Sequence, residues 1–306
     1  MKRFRPFFSP GNASPSYVNT RDAEPGSYGE DVRILMEEMW AQYWPYADDH
    51  FLSAVRWEFD QRTWEMYIAW VLMRHGYEIN KVGNAGPEFF VMIDGVKTWI
   101  EAIAPHPGTG PDAVPALRSM NELIEAGEEP VQNVPEEQIL LRLTHSMFDK
   151  MRKHRRDIEQ ERIDASDAYI LAINGWRATG ARGESVLPFI LKASLGYGHY
   201  SVPINTSTME WGSPHWTFRG QVKKQNDESV STTPLLSSEY SGISGILYSP
   251  SDICNVHEPF GREMMFLHNP LAIRKLPTSC FNFCREYQCL VTDGSISVSM
   301  NEPTIK

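Results

Sequence analysis

No apolar run in this 306-residue chain approaches the roughly 20 residues of a membrane span, so no spanning helix is expected. Surplus positive charge is missing as well. Lys and Arg number 29 against 39 Asp and Glu, a formal net charge of -10. That balance argues against a protein that coats nucleic acid, because such binding rests on neutralising phosphates. It leaves room for an enzyme with a locally basic cleft. Cysteine is scarce and late: Cys254, Cys280, Cys284 and Cys289. Four thiols gathered in the last fifth of the chain do not make a disulfide framework, and a cytoplasmic chain with reduced, buried thiols is the expectation. The spacing Cys-x3-Cys-x4-Cys over residues 280–289 misses the common zinc patterns. It also differs from the four-cysteine iron–sulfur arrangement of some nucleases. Familiar catalytic signatures are absent too. There is no Gly-x-Ser-x-Gly elbow and no phosphate loop ending in Gly-Lys-Ser/Thr, and "GARGE" (Gly180–Glu184) does not follow the dinucleotide pattern.

What is present is ample core material, with 42% hydrophobic residues, nine Trp, twelve Tyr and fourteen Phe. The first 29 residues, basic and then rich in Pro, Ser and Asn, read as a disordered leader with too short an apolar stretch for a signal peptide. A helix is expected from about Glu30 to Tyr43, and a long one from Ser53 to His75, stopped by Gly76. Three strands follow: Tyr77–Val82, Pro87–Asp94 and Lys97–Ala104. Asp94-Gly95 marks a hairpin between the last two. A helix over Pro135–Arg162 and an apolar strand over Ala168–Asn174 complete a four-strand sheet flanked by helices, an α/β layer fold. Beyond Gly175 the pattern weakens. A short helix over Gly183–Ala193, strands in "HWTFRGQV", "SGISGILYS" and "REMMFLHN", and a mobile loop over 224–241 are expected. The organisation expected is therefore a leader (1–29), a core with N-terminal helices (30–174) and a β-rich C-terminal extension packed on that core (175–306).

The chemistry begins with Glu101, which stands among the apolar residues of "KTWIEAIAP". An unpaired carboxylate there protonates, pairs or binds a cation. Side chains alternate along a strand, so each of the two hairpin strands carries one acid among large apolar groups. Pairing through Asp94-Gly95 brings Glu88 and Glu101 to the same end of the hairpin. Two like charges there repel, and a hard divalent cation such as Mg²⁺ relieves the conflict. On the long helix, Glu58, Arg62, Glu65, Ala69 and Leu72 form one stripe, and Glu65 near its apolar part supplies a third carboxylate. Glu58 reads as an exposed acid, Trp57, Trp64 and Trp70 as core, and His268-Asn269 as a strand-end turn. His106, His145 and His154 read as surface or core residues. The basic stretch Lys150–Arg162 reads first as a solvated helix face.

The order helix with Glu65, strand, "GPEFF", strand with "WIEA", helix and strand, over about Ser53 to Asn174, resembles the α-β-β-β-α-β core of the PD-(D/E)XK nuclease superfamily, a restriction-endonuclease-like fold with a mixed central sheet. The stretches "ILLRLTHSMFDKMRKH", "AYILAINGW", "ISGILYS" and "FLHNPLA" resemble segments of a less-studied bacterial group with this core. The resemblance implies an Mg²⁺-dependent (or Mn²⁺-dependent) phosphodiesterase acting on DNA or RNA. The family's Asp after Pro then corresponds to Glu88, the Glu of its Glu-x-Lys to Glu101, and its first-helix acid to Glu65. These three are the implied metal ligands. Its lysine corresponds to Ile103, where the match fails, since isoleucine can neither orient water nor offset phosphate charge. Some members supply the amine from the next helix, where Arg142, Ser146, Lys150 and Lys153 share a stripe. Lys150 is the first choice for that amine and Lys153 the second, with Arg142 accessory. Lys97 is the weakest, about 13 Å from Glu101 along an extended strand. The alternative reading is a degenerate nuclease-like domain that binds nucleic acid or a protein partner without cutting.

Overall fold

A computed structural model of the chain describes residues 3–81, 86–129, 131–179, 187–292 and 295–304. "GARGE" and the start of the helix expected over Gly183–Ala193 lie outside the described residues, as does Val82. In chain order the helices are α1 (Pro15–Arg21), α2 (Tyr28–Tyr43), α3 (Phe51–Ala54), α4 (Phe59–Arg74), α5 (Met120–Glu125), α6 (Glu136–Glu159), α7 (Trp176–Thr179) and α8 (Phe189–Leu195). The strands are β1 (Phe89–Ile93), β2 (Val96–Ile103), β3 (Ala168–Asn174), β4 (Tyr197–Ser201), β5 (His215–Phe218), β6 (Gln221–Lys223), β7 (Ser229–Ser231), β8 (Gly245–Ser249), β9 (Met265–His268), β10 (Arg285–Thr292) and β11 (Ser295–Asn301). The chain is mixed α/β and divides into two compact units. One comprises Met1–Ala104, Lys150–Trp176 and Gly242–Lys306, and the other Pro105–Asp149 and Arg177–Ser241. Among the described residues no helix is long and apolar enough to cross a membrane.

The first unit is built on a seven-stranded sheet in the order β1-β2-β3-β8-β9-β10-β11. β1 and β2 pair antiparallel in a register closing on Ile93 and Val96. The two residues between them, Asp94 (φ 48°) and Gly95 (φ 76°), both take the positive φ that a tight hairpin turn of this kind requires. β2, β3 and β8 run parallel to one another. Every residue of β3 is buried, which is why "AYILAIN" shows no alternation. β8 pairs antiparallel with β9, which lies parallel to β10, and the β10–β11 hairpin forms the far edge. The strand expected over Tyr77–Val82 is reduced to a single antiparallel bridge, Asn80 to Phe90.

Two expectations about the first 75 residues are corrected. The long helix expected over Ser53–His75 is broken between α3 and α4. The Arg56 carbonyl accepts the Ser14 N–H at 2.7 Å, and its guanidinium holds the carbonyls of Pro10 and Asn12, so tertiary contacts pull this turn out of the helix. The same contacts order the segment expected as a leader. Phe7 and Tyr17 are buried, the Glu37 carboxylate accepts the backbone N–H groups of Phe7 and Phe8 at 3.1 Å, and Trp40 Nε1 donates to the Arg5 carbonyl at 2.7 Å. Ser14 caps α1 and Ser27 caps α2, each accepting a backbone N–H three residues on. Replacing Tyr17 by Ala is expected to lower unfolding stability by about 3 kcal/mol in denaturant titration, as loss of a buried aromatic does; a leader detached from the core predicts no change.

The second unit holds α5, with a capping box between Ser119 and Glu122, the first turns of α6, α8, and the two small sheets β4-β5 and β6-β7. Its anchor is Glu136, clasped by Lys192 and Arg219. Burial pushes that carboxyl up, but the two cations outweigh it and hold it below the usual range. The stretch 224–241, expected as a loop, carries β7 and two short 3₁₀ turns. The extension expected as one piece from residue 175 is thus divided. Residues 177–241 belong to this unit, while residues 242–306 carry four strands of the main sheet.

Candidate active site around Glu101

In the core, Ile100 and Ala102 of β2 and Ile170 and Ala172 of β3 pack with the buried residues of α4. By alternation Trp99, Glu101, Tyr169 and Leu171 point to the opposite face, and Trp99 and Glu101 lie level with Tyr169 and Leu171 in the parallel register. Glu101 is 0% exposed. Lys150 and Lys153, one turn apart on α6, close over it. The Lys150 ammonium bonds Oε1, and Lys153 Nζ lies 2.5 Å from Oε2 and 2.9 Å from the Gly86 carbonyl. Tyr169 donates its hydroxyl to Oε2 at 3.4 Å. Burial works to lower the Lys153 pKa, but Glu101 and Glu88 outweigh it and hold the ammonium charged. The Tyr169 phenol is pushed well up by burial and then by Glu101, so it stays a donor. Beneath it sits His154, ring centroids 4.3 Å apart, in space that Gly242 leaves by having no side chain. Burial lowers the His154 pKa to about 4, so this imidazole is neutral.

Glu88 stands just before β1, half-buried, and its N–H donates to the Ile100 carbonyl at 3.1 Å, next to Glu101. Among the described residues nothing donates a hydrogen bond to its carboxylate. Burial, then the nearby charges of Glu65 and Glu101, push its carboxyl well above the usual range against the pull of Lys153 and Lys150. Glu65 on α4 is 1% exposed. It accepts from the Tyr43 hydroxyl at 2.5 Å and pairs with Arg62 at 3.1 Å, and Arg62 also holds Asp48 at 3.1 Å. Burial raises the Glu65 pKa despite Tyr43 and Arg62. The set therefore has one carboxylate fully clasped by ammonium groups, one partnered by Tyr43 and Arg62, and one carrying a charge conflict without a donor. Among the described residues the oxygens of Glu65, Glu88 and Glu101 do not all lie within 4.8 Å of one another, and the feature they offer a cation is the like-charge conflict at Glu88.

The conflict has a measurable sign. The folded chain keeps a proton on Glu88 at pH values where the unfolded chain, with the ordinary value of 4.5, has lost it. Metal-free stability therefore falls as pH rises from there toward the raised folded value. Glu88→Gln cannot ionise, so it is expected to gain stability relative to the parent chain as pH rises above the ordinary carboxyl value of 4.5 in chelator-treated buffer. A pH-independent difference between the two proteins contradicts this assignment.

The remaining candidates lie elsewhere. Arg142 belongs to the second unit, its guanidinium packed over Gly108. Lys97 turns away to Asp167 at 3.6 Å and to the rings of Phe90 and Trp99. Ile103 shares the strand face of Glu101 and brings no amine. Glu58 is exposed and pairs with Arg62, His145 is exposed beside Asp149, and His106 is exposed. Tyr169 and Tyr43 escaped the sequence reading. Tyr169 reaches Glu101 only through the parallel β2–β3 register, and nothing local in "AYILAIN" carries that information. Comparison of the chain with family models, with curated proteins and with solved structures finds no match.

Proposed function

We propose that this protein is a metal-dependent nuclease that hydrolyses phosphodiester bonds of DNA or RNA with Mg²⁺ (or Mn²⁺) held by carboxylates. The single observation that carries the reading is the buried Glu101 on a central strand, clasped by two amines from α6 and flanked by the conflicted Glu88. The order of α4, the Asn80 bridge, β1, β2, α6 and β3 supports a restriction-endonuclease-like core. Glu88 and Glu101 would hold the cation, with Glu65 completing the acidic set. Bound there, a divalent ion supplies charge neutralisation on the phosphate and a lowered pKa for water. In this reading Lys150 and Lys153 take the part of the missing strand lysine, and turned from Glu101 they would offset negative charge growing on the phosphate oxygens. Tyr169 keeps the Glu101 carboxylate oriented, and neutral His154 packs that phenol without adding charge.

A second reading starts from the same clasp. Both Glu101 oxygens are already taken by ammonium groups, the arrangement of a closed ion cluster in a nuclease-like domain that binds nucleic acid or a protein partner without cutting. Cleavage assays on plasmid, linear duplex, single-stranded DNA and RNA separate the two. The nuclease reading predicts cleavage of at least one substrate that needs Mg²⁺ or Mn²⁺ and stops with chelator. Intact substrates under every condition support the binding domain.

A further inference from the structure

At the other side of the same sheet, three side chains of different chemistry meet. His268 ends β9, Glu286 lies near the start of β10, and Cys280 sits in the turn leading into β10. One ligand atom from each, an imidazole nitrogen, a thiol sulfur and a carboxylate oxygen, lies within 4.8 Å of the other two. His268 Nε2 is 3.1 Å from Glu286 Oε2. The carboxylate is fixed from behind, Oε1 accepting the Phe281 N–H and Oε2 the Ser279 N–H, both at 2.7 Å. Cys280 and Glu286 are buried, while the His268 side chain is 14% exposed.

We propose that His268, Cys280 and Glu286 bind a zinc ion, at a site separate from the Glu88–Glu101 cluster and independent of the nuclease reading. Nitrogen, sulfur and oxygen donors from three positions are a donor set for a borderline-soft, tetrahedral cation and not for Mg²⁺. The backbone N–H groups on Glu286 play the orienting part that outer-shell partners take around metal-ligating carboxylates. A cavity of about 450 Å³, lined by Tyr77, Glu78, Asp94, Thr278, Ser279 and Cys280, borders the cysteine and carries two acids. Three protein ligands leave the fourth tetrahedral corner to a water or a small ligand. Binding displaces the thiol proton of Cys280, so affinity rises with pH. The cysteine spacing alone pointed away from zinc because it linked Cys280 to Cys284 and Cys289. The fold instead supplies the partners from β9 and β10.

The test uses the full chain freed of metal by chelator dialysis and kept in excess Mg²⁺, which occupies hard carboxylate sites without taking a thiolate. Zn²⁺ is titrated against a chromophoric chelator, and Co²⁺ is used as a spectroscopic probe. The expected result is one equivalent of zinc per chain and a thiolate-to-cobalt charge-transfer band. Cys280→Ser removes the band and weakens zinc by more than the roughly 10–100-fold that loss of an outer-shell partner brings. His268→Gln weakens zinc in the same way, while Cys254→Ser, Cys284→Ser and Cys289→Ser leave the band intact. If Cys280→Ser does not fold, persistence of the band through these three cysteine variants and its weakening in His268→Gln carry the assignment. Absence of saturable zinc binding, absence of a thiolate band in the parent chain, or a band unchanged in His268→Gln overturns it.

Discussion

Glu101→Gln is expected to abolish metal-dependent cleavage, lowering kcat/KM by at least about 10³-fold, a loss of about 4 kcal/mol of transition-state stabilisation. The substitution keeps the size of the side chain and its place between Lys150 and Lys153 while removing the charge. An amide can present only one oxygen, and its NH₂ meets an ammonium as donor against donor. Both the proposed cation and the two amines therefore lose the group that gathers them. The control is Glu58→Gln, exposed at the N-cap of α4 and paired with Arg62, which is expected to leave cleavage within about two-fold, since such exposed pairs contribute little. Cleavage by Glu101→Gln at the parental rate removes Glu101 from the reaction.

The second large effect is on stability. Lys150→Met combined with Lys153→Met leaves a fully buried carboxylate with, among the described residues, the Tyr169 hydroxyl at 3.4 Å as its remaining donor. Breaking a buried ion cluster from one side costs about 3–5 kcal/mol, because the surviving charge has lost its compensation without returning to water. Either lysine alone still neutralises Glu101, so the two single variants are expected to sum to less than the double. Millimolar Mg²⁺ is expected to restore part of the loss, because a ligand that binds only the folded chain stabilises it by mass action. Chemical denaturation with and without Mg²⁺ reads all three effects. Additive single variants with no response to Mg²⁺ would contradict a shared charge cluster.

How much of this was legible in the sequence depends on whether the signal was local. The β1–β2 hairpin was, because Asp94-Gly95 supplies the positive-φ pair the turn needs. So was the oddity of Glu101, a charge in an apolar strand, and the stripe that put Lys150 and Lys153 on one face of α6. The register that brings Tyr169 to Glu101 was not, since parallel pairing joins residues 68 positions apart. The ordering of residues 3–29 was hidden for the same reason. Phe7 and Tyr17 are few among Pro, Ser and Asn, and what fixes them is Glu37, Trp40 and Arg56 from later in the chain. Arg56 also explains the missed helix break, where no Gly or Pro marks the sequence. Residues 242–306 read as an extension because β8 enters the sheet next to β3 after a gap of 70 residues, from Asn174 to Gly245.

The central claim is that Glu88 and Glu101 form one cation site, and calorimetric titration of Mg²⁺ into chelator-treated protein tests it most directly. Saturable binding in the millimolar range or tighter, weakened at least about ten-fold in Glu88→Gln and in Glu101→Gln, is the predicted result. Heats that show no binding, or binding of equal strength in the parent chain and both variants, would contradict it.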